Sequence, residues 1–389
     1  MNAEQKVYPS FQFWRLCFCN ILFFASFNMI VPELPAYLRS MGGEKYVGYI
    51  IALFTVTAGL SRPFSGKWAD HIGRVPVMVI GAAVSALCGL AYAFVSGVFL
   101  FLMLRLFHGM STGFTPTGTS AYTADIVPFN RRGEAMGLIS LFGSLGMAVG
   151  PAVGSWINFH YGYDAMFYAS AISGLLAFWA IAGMKETLPN REKFRLSLFK
   201  IRWADVYESR VKKPAFVMLL MVASFGVMIT LIPDHCEALG MKNKGTFFSV
   251  FTLASIFVRF SAGKVSDRIG RAKVLLISSI LLFIAMLFLG LSTNITTLLI
   301  GAVLFGFANG INSPTVMAWA IDLGDSERIG RAMGTVYIAL EIGIGAGAFF
   351  GGGIYAGNPE LLPQIFMGAG ALSLVAFAYL SREVFWVNR

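Results

Sequence analysis

Twelve stretches of mainly apolar residues follow one another along the chain, at about 12–36, 46–66, 75–97, 98–122, 133–157, 163–184, 214–234, 245–264, 272–294, 296–321, 330–355 and 361–381. Each is close to or above the ~20 residues that a helix rising about 1.5 Å per residue needs to cross a bilayer. The pattern predicts an all-α integral membrane protein with twelve spans. Charged positions gather in the connections, and basic residues favour alternate ones. Lys67 and Arg74, Arg131 and Arg132, Lys264, Arg268, Arg271 and Lys273, and Arg328 and Arg331 fall on one side, with Lys6, Arg15, Arg382 and Arg389 near the termini. Arg39, Lys45, Lys242 and Lys244 are the main exceptions on the other side. Lys and Arg accumulate on the cytoplasmic side of a membrane protein. Both termini are therefore predicted to be cytoplasmic in an inner (plasma) membrane, as an even number of spans requires.

The longest connection, about 185–213, holds nine Lys/Arg against four Asp/Glu. Phe194, Leu196, Leu198, Phe199, Ile201 and Trp203 are interleaved with that charge, which makes part of it a candidate amphipathic helix on the inner leaflet. It separates a first bundle, 1–184, from a second, 214–389.

Composition sharpens the class. Hydrophobic residues make up 57% and charged residues 13%, where soluble domains carry roughly 25% charged. The first apolar run is far longer than a signal-peptide core, so no cleavable signal is expected. A net charge of +10 would suggest nucleic acid in a soluble protein; here the positive-inside bias explains it, and no nucleic-acid partner is predicted. Cys17, Cys19, Cys88 and Cys236 lie in or beside apolar runs, with no ligand pair at zinc spacing. They read as packing residues, and neither a metal nor a cofactor is expected. No nucleophile elbow, P-loop or dinucleotide fingerprint occurs, so the chain is not read as an enzyme.

The two halves are repeats at one fixed offset of 197 positions. Arg62, Gly66, Lys67, Asp70, Ile72, Gly73 and Arg74 return as Arg259, Gly263, Lys264, Asp267, Ile269, Gly270 and Arg271. Gly109 and Gly113 return as Gly306 and Gly310, and Asp125 as Asp322. Gly133, Ala135, Met136 and Gly137 return as Gly330, Ala332, Met333 and Gly334, and Gly146, Gly150 and Gly154 as Gly343, Gly347 and Gly351. With six spans between equivalent positions, the halves share one orientation, and parallel repeats of this kind place a cavity between two bundles.

The segment Gly66-Lys-Trp-Ala-Asp70-His-Ile-Gly73-Arg74, between spans 2 and 3, resembles the signature loop of the major facilitator superfamily. Gly263-Lys-Val-Ser-Asp267-Arg-Ile-Gly270-Arg271 repeats it between spans 8 and 9. The resemblance covers essentially the whole chain and implies twelve helices in two six-helix bundles working by alternating access. In the loop itself, Gly66 and Gly73 permit a tight turn, Asp70 suits a helix end, and Arg74 is within sequence reach of Asp125, as Arg271 is of Asp322. Family members use such charges to latch the cytoplasmic faces; the plain alternative is charge that only sets topology.

Span 5 reads Gly137-X8-Gly146-X3-Gly150-Pro151-X2-Gly154. Glycines four apart share one helix face and let another helix approach, and Pro151 kinks that face. By itself this is also an ordinary small-residue packing face. It resembles the motif that accompanies antiporters in the superfamily, with Ser155 where a second glycine often follows and Ala348 where the second half lacks the proline. Arg105-Leu-Phe-His-Gly109 resembles the span-4 motif whose Arg is linked to proton coupling, with His108 where Gln is common.

Charge inside an apolar span is costly and marks function by default. Arg105 should face a cavity or a carboxylate, or else snorkel to the interface. Glu33 in span 1 and Asp234 in span 7 each follow a proline, and either could carry a proton in a vestibule or sit at the external interface. Glu341, near the middle of span 11, is the deepest acid, with a packing hydrogen bond as the alternative. Asn28 is a further mid-membrane polar group, and Arg62 and Arg259 are gate or packing charges. The expectation is a proton-coupled transporter working as a monomer, an antiporter exporting a drug-like molecule or metabolite. A proton symporter importing a sugar or metabolite, served by Asn309 and Asn312, is the alternative.

Overall fold

The computed structural model describes residues 10–128, 131–189, 191–201, 206–324 and 329–385. Lys6, Trp203, Arg328 and Arg389 of the sequence reading lie outside these residues. Among the described residues every regular element is helical. Span 1 runs over Phe11–Ile30, breaks at Val31-Pro32-Glu33, and resumes over Leu34–Ser40. Spans 2, 3 and 4 are Val47–His71, Arg74–Ala91 and Val98–Ile126. Spans 5 and 6 are continuous in Arg132–Ala182 except at Gly162, whose φ of 84° turns the chain between them. Spans 7 to 12 are Lys212–Ala238, Gly245–Ile269, Arg271–Gly290, Ile295–Leu323, Ile329–Tyr355 and Leu362–Phe385. Large apolar side chains such as Phe107, Trp179 and Phe257 remain exposed around the outside. A bilayer covers such surface; water does not.

Spans 1–6 and 7–12 form two bundles, and the fixed sequence offset is their structural repeat. Two seams join them: span 2 against span 11, and span 5 against span 8. The seams follow the repeat as well. Gly48, in span 2, leaves no room for a side chain beside the Ala348 carbonyl, 2.6 Å from where a Cβ would stand. Its repeat mate Gly245, in span 8, abuts the carbonyl of Pro151, the repeat mate of Ala348. Close approach of two helices requires a residue without a Cβ at both places.

The turns after spans 2 and 8 place Gly73 and Gly270 at φ 136° and 96°, which favours glycine. We call this end of the bundle the loop end. The seams are tight at the opposite, distal end, while a cavity of about 620 Å³ enters from the loop end. Spans 2, 4 and 11 line it, with Arg62, Lys67, Asp70, Pro116, Arg331 and Tyr337 among its walls. Linker residues Ile201 and Val206 stand at its rim.

Part of the linker expected as an amphipathic helix, 202–205, lies outside the described residues. Among its described residues are 3-10 turns at Leu196–Phe199 and Ser209–Val211, and Val206 is helical. Phe194 and Phe199 stack edge-on against Trp68, their ring centroids 5.4 and 5.3 Å away. Lys67 Nζ donates to the Lys200 carbonyl at 2.9 Å, and Glu192 bonds the His71 ring at 3.0 Å. That bond, added to the charge on a protonated ring, holds Glu192 below the usual carboxylate range.

Candidate functional site

At the distal end, five charged side chains interlock across the two halves. Arg39 reaches Asp234 at 2.5 Å and Glu237 at 3.4 Å. Lys244 reaches Glu237 at 2.7 Å and Glu33 at 3.6 Å. Glu33 is 4% exposed and accepts from Ser155 Oγ at 2.7 Å and Asn158 Nδ2 at 3.0 Å. The sequence reading placed Glu33 and Asp234 in a vestibule or at the interface. In the structure both lie in cross-half ion pairs, Asp234 with Arg39 and Glu33 with Lys244 at the start of span 8. Lys244 sits at that start; burial opposes its charge, yet the facing Glu33 and Glu237 raise its pKa above the usual lysine value. Ser155 also accepts from the Gly245 N–H at 3.1 Å. It thereby ties the two halves where the antiporter-type motif departs from the second glycine.

Deeper in, Arg62 Nη2 donates to Glu341 Oε1 at 2.8 Å, again across the halves. The guanidinium also lies 4.4 Å from the centre of the Tyr337 ring. Glu341 is 8% exposed, and its arginine partner lines the loop-end cavity. An arginine and a carboxylate 279 positions apart are brought together because Gly59, one helical turn before Arg62, lets the Glu341 stem approach to 3.3 Å of where a Cβ would stand. Span 8 presents the repeat mate, Arg259, to span 5. There Ser144 replaces the glutamate, and among the described residues Arg259 bonds only the Ser140 and Ser144 hydroxyls, each at 3.4 Å.

Arg105 is 1% exposed, yet no carboxylate lies within ion-pair distance among the described residues. Its Nε donates to the Ile50 carbonyl at 3.0 Å, its Nη1 to Tyr92 Oη at 3.4 Å, and its plane covers Phe54. Gly109 brings span 4 against the span-2 backbone at Phe54, close enough for the guanidinium to use that backbone. His108 bonds Tyr92 and Ser85, each at 3.4 Å. Asn28 donates to Phe24 O of its own helix at 2.8 Å. Arg105 and Asn28 therefore join neither cross-half cluster.

At the loop end Arg74 bonds Asp125 and Asp70, each at 3.1 Å. Arg271 bonds Asp322 at 2.9 Å and pairs with Asp267. Each set stays within its own half. Gly66 and Gly263 have open space around them. Sequence reading missed Glu186. Its carboxylate accepts from the Arg74 and Val75 N–H groups, each at 3.0 Å, and so caps span 3. Its distance in sequence hid it, although a lone acid just after an apolar span was a signal.

Gly146, Gly150 and Gly154 pack span 5 on span 1, against the carbonyls of Ile21, Ala25 and Met29 at successive turns. Gly137 faces open space and takes no part in this contact. Pro151 lies inside the span-5 helix, and its carbonyl meets Gly245 on the other half.

The model of the Major Facilitator Superfamily matches residues 16–248 and 216–387. The chain belongs to this superfamily. As a major facilitator it is a membrane transporter, and its repeats at one offset are those of the two superfamily bundles. Multidrug resistance protein 2 of Bacillus subtilis (strain 168) is 25% identical over 339 residues, 82% of each chain. The multidrug resistance protein MdtG of Salmonella typhi is 28% identical over 364 residues, 88% of this chain and 87% of the relative. Among solved structures, the human organic anion transporter MFSD10 (TETRAN) superposes with a TM-score of 0.73 at 20% identity, covering 98% of this chain and all of that one. The peptide transporter POT superposes at 0.77 and 16% identity, covering 96% and 94%. At these identities the structural matches speak for the fold.

Proposed function

We propose that this transporter is a proton-driven antiporter that exports a drug-like molecule or metabolite from the cytoplasm. The loop end is read as cytoplasmic, with both termini there, in the inner (plasma) membrane, and the protein as a monomer with no enzyme step. The halves 1–184 and 214–389 move against each other, with 185–213 as the tether. The observation that carries the reading is the Arg62–Glu341 pair at the cavity wall. Protonation of Glu341 removes the charge that holds Arg62 across the halves. Substrate and proton then exchange because each favours a different arrangement of this one ion pair. The distal charges form the outer gate, which must part before an external proton can enter, and the loop-end Asp–Arg sets form the inner gate. The names of the curated relatives support a drug-like substrate.

Proteoliposomes holding a trapped pH dye test this with panels of lipophilic cations, sugars and metabolites. We expect a compound on one side to drive protons the opposite way. Glu341→Gln should abolish that flux, since an amide cannot take up and release the proton. Flux only with compound and proton moving together would make the protein a symporter and overturn the antiport reading.

A further inference from the structure

We infer that Arg259 is the binding site for an anionic group on the transported molecule, so that the substrates include amphiphilic carboxylates, sulfonates or phosphates. The inference rests on the transport reading above and names a substrate class for it.

The repeat supplies the argument. Arg62 and Arg259 are equivalent positions, and so are their facing residues, Glu341 and Ser144. On the span 2–span 11 seam the cation is neutralised at 2.8 Å. On the span 5–span 8 seam the same cation meets two hydroxyls at 3.4 Å, and no Asp or Glu lies within ion-pair distance among the described residues. Its Nε is buried and makes no hydrogen bond. Arg259 stands ten residues before the end of span 8, about 15 Å from the loop end at the usual helical rise. A guanidinium cannot discard its proton, and at that depth an unneutralised one is costly. Retaining it requires that something else bring negative charge.

Chemistry on the spot fits an oxyanion. Guanidinium N–H groups arranged as a fork accept two oxygens of one carboxylate, sulfonate or phosphate. Ser140 and Ser144, one turn apart on span 5, add hydroxyl donors on the same side. Ser140 is exposed, which leaves an approach to the guanidinium. Across the seam pair, Glu341 already occupies Arg62, so the two repeats divide the work: one arginine is satisfied internally and the other awaits its ligand.

The test is equilibrium binding of radiolabelled naphthalene-2-sulfonate to the full-length protein in phosphatidylcholine nanodiscs. Unlabelled naphthalene-2-sulfonate, naphthalene-2-sulfonamide and 2-naphthylmethylammonium compete. The sulfonate should outcompete its neutral isostere by at least about tenfold, the scale of one charge-assisted hydrogen bond. Arg259→Gln should abolish that preference. Ser144→Glu should abolish it too while raising the melting temperature, because it builds into the second seam the internal partner that Glu341 provides in the first. Equal binding of sulfonate and sulfonamide, or a preference that survives in both variants, would overturn the inference. So would displacement of the sulfonate by phosphatidylglycerol in a protein that carries no sulfonate across proteoliposomes, since Arg259 would then hold a lipid headgroup. Binding needs no proton gradient, so the two readings fail separately. A protein that binds the sulfonate yet exchanges protons for nothing sinks antiport alone.

Discussion

Span 2 meets span 11, and span 5 meets span 8, through contacts that coincide under one offset, yet the seams are not chemically equal. Each closes at its distal end on a glycine set against a carbonyl: Gly48 on Ala348, and Gly245 on Pro151. Each carries an arginine toward the loop end. In one seam the arginine meets Glu341 and in the other Ser144 and Ser140. Hydrogen bonds to the distal end are also unequal. Asn243 and Ser249 donate to the Ala152 and Ala148 carbonyls across the span 5–span 8 seam. Duplicated geometry thus survives where helices must touch and diverges where charge is handled. Backbone approach is a constraint on both seams, whereas the proposed coupling needs only one charge.

The largest way to break the likeness is Gly245→Val. A side chain there collides with the Pro151 backbone and has nowhere to go, so the distal end should be wedged apart. Spin labels on the distal ends of the two halves should report a longer separation than in the unmodified protein. Gly48→Val should act in the same direction and less strongly, because a Cβ there stands 2.6 Å from its carbonyl, where the other seam is tighter. Unchanged label distances in both variants would show that distal closure does not depend on these glycines.

A second difference lies at the loop end. Glu186 caps span 3, and its repeat mate Glu383 instead pairs with Lys213 at 2.6 Å. Losing a helix cap costs about 0.5–2 kcal/mol, while a partly exposed ion pair is worth about 0–1 kcal/mol. Glu186→Ala should therefore lower the melting temperature in detergent by more than Glu383→Ala. The reverse order would deny the cap its role.

Much of this was legible in the sequence, for physical reasons. Twelve spans follow from apolar runs that only a bilayer can tolerate, and the repeat from residues that return at one offset. The glycine face of span 5 announced a close helix, but not which one, since small residues specify distance and not partner. Gly137 fits the same motif and faces open space. The pairing of Glu33 with Lys244, or of Arg62 with Glu341, needs the two halves docked, and no local pattern records that docking. Arg105 looked like a cavity charge, and a helix carbonyl took it instead. Glu186 escaped because its partners are backbone N–H groups, which leave no mark in a sequence.

The smallest effect concerns pH. Glu208 pairs with Arg331 of span 11, and that hydrogen bond holds its carboxyl below the usual 4.5. A depressed pKa contributes stability above about 4.5 that fades as pH falls through the lower value. After correction for the intrinsic pH dependence of amide exchange, protection at residues 206–211 should fall below about pH 4.5 and stay constant at neutral pH. Exchange that is indifferent to acid would remove Glu208 as an anchor.

That anchor has a mechanical side. Lys200 is fastened to Lys67 on the first half, and Glu208 to Arg331 on the second. Seven residues, hence eight chain steps, separate the fastenings, and a fully drawn chain spans at most ~3.5 Å per step. The strap is therefore about 28 Å long when taut. While both fastenings hold, the loop-end mouth beside span 2 and span 11 cannot gape wider than that, however strongly a bulky cargo pushes. On the proposed transport reading, opening at this end is bounded by a leash as well as by the packing of the helices.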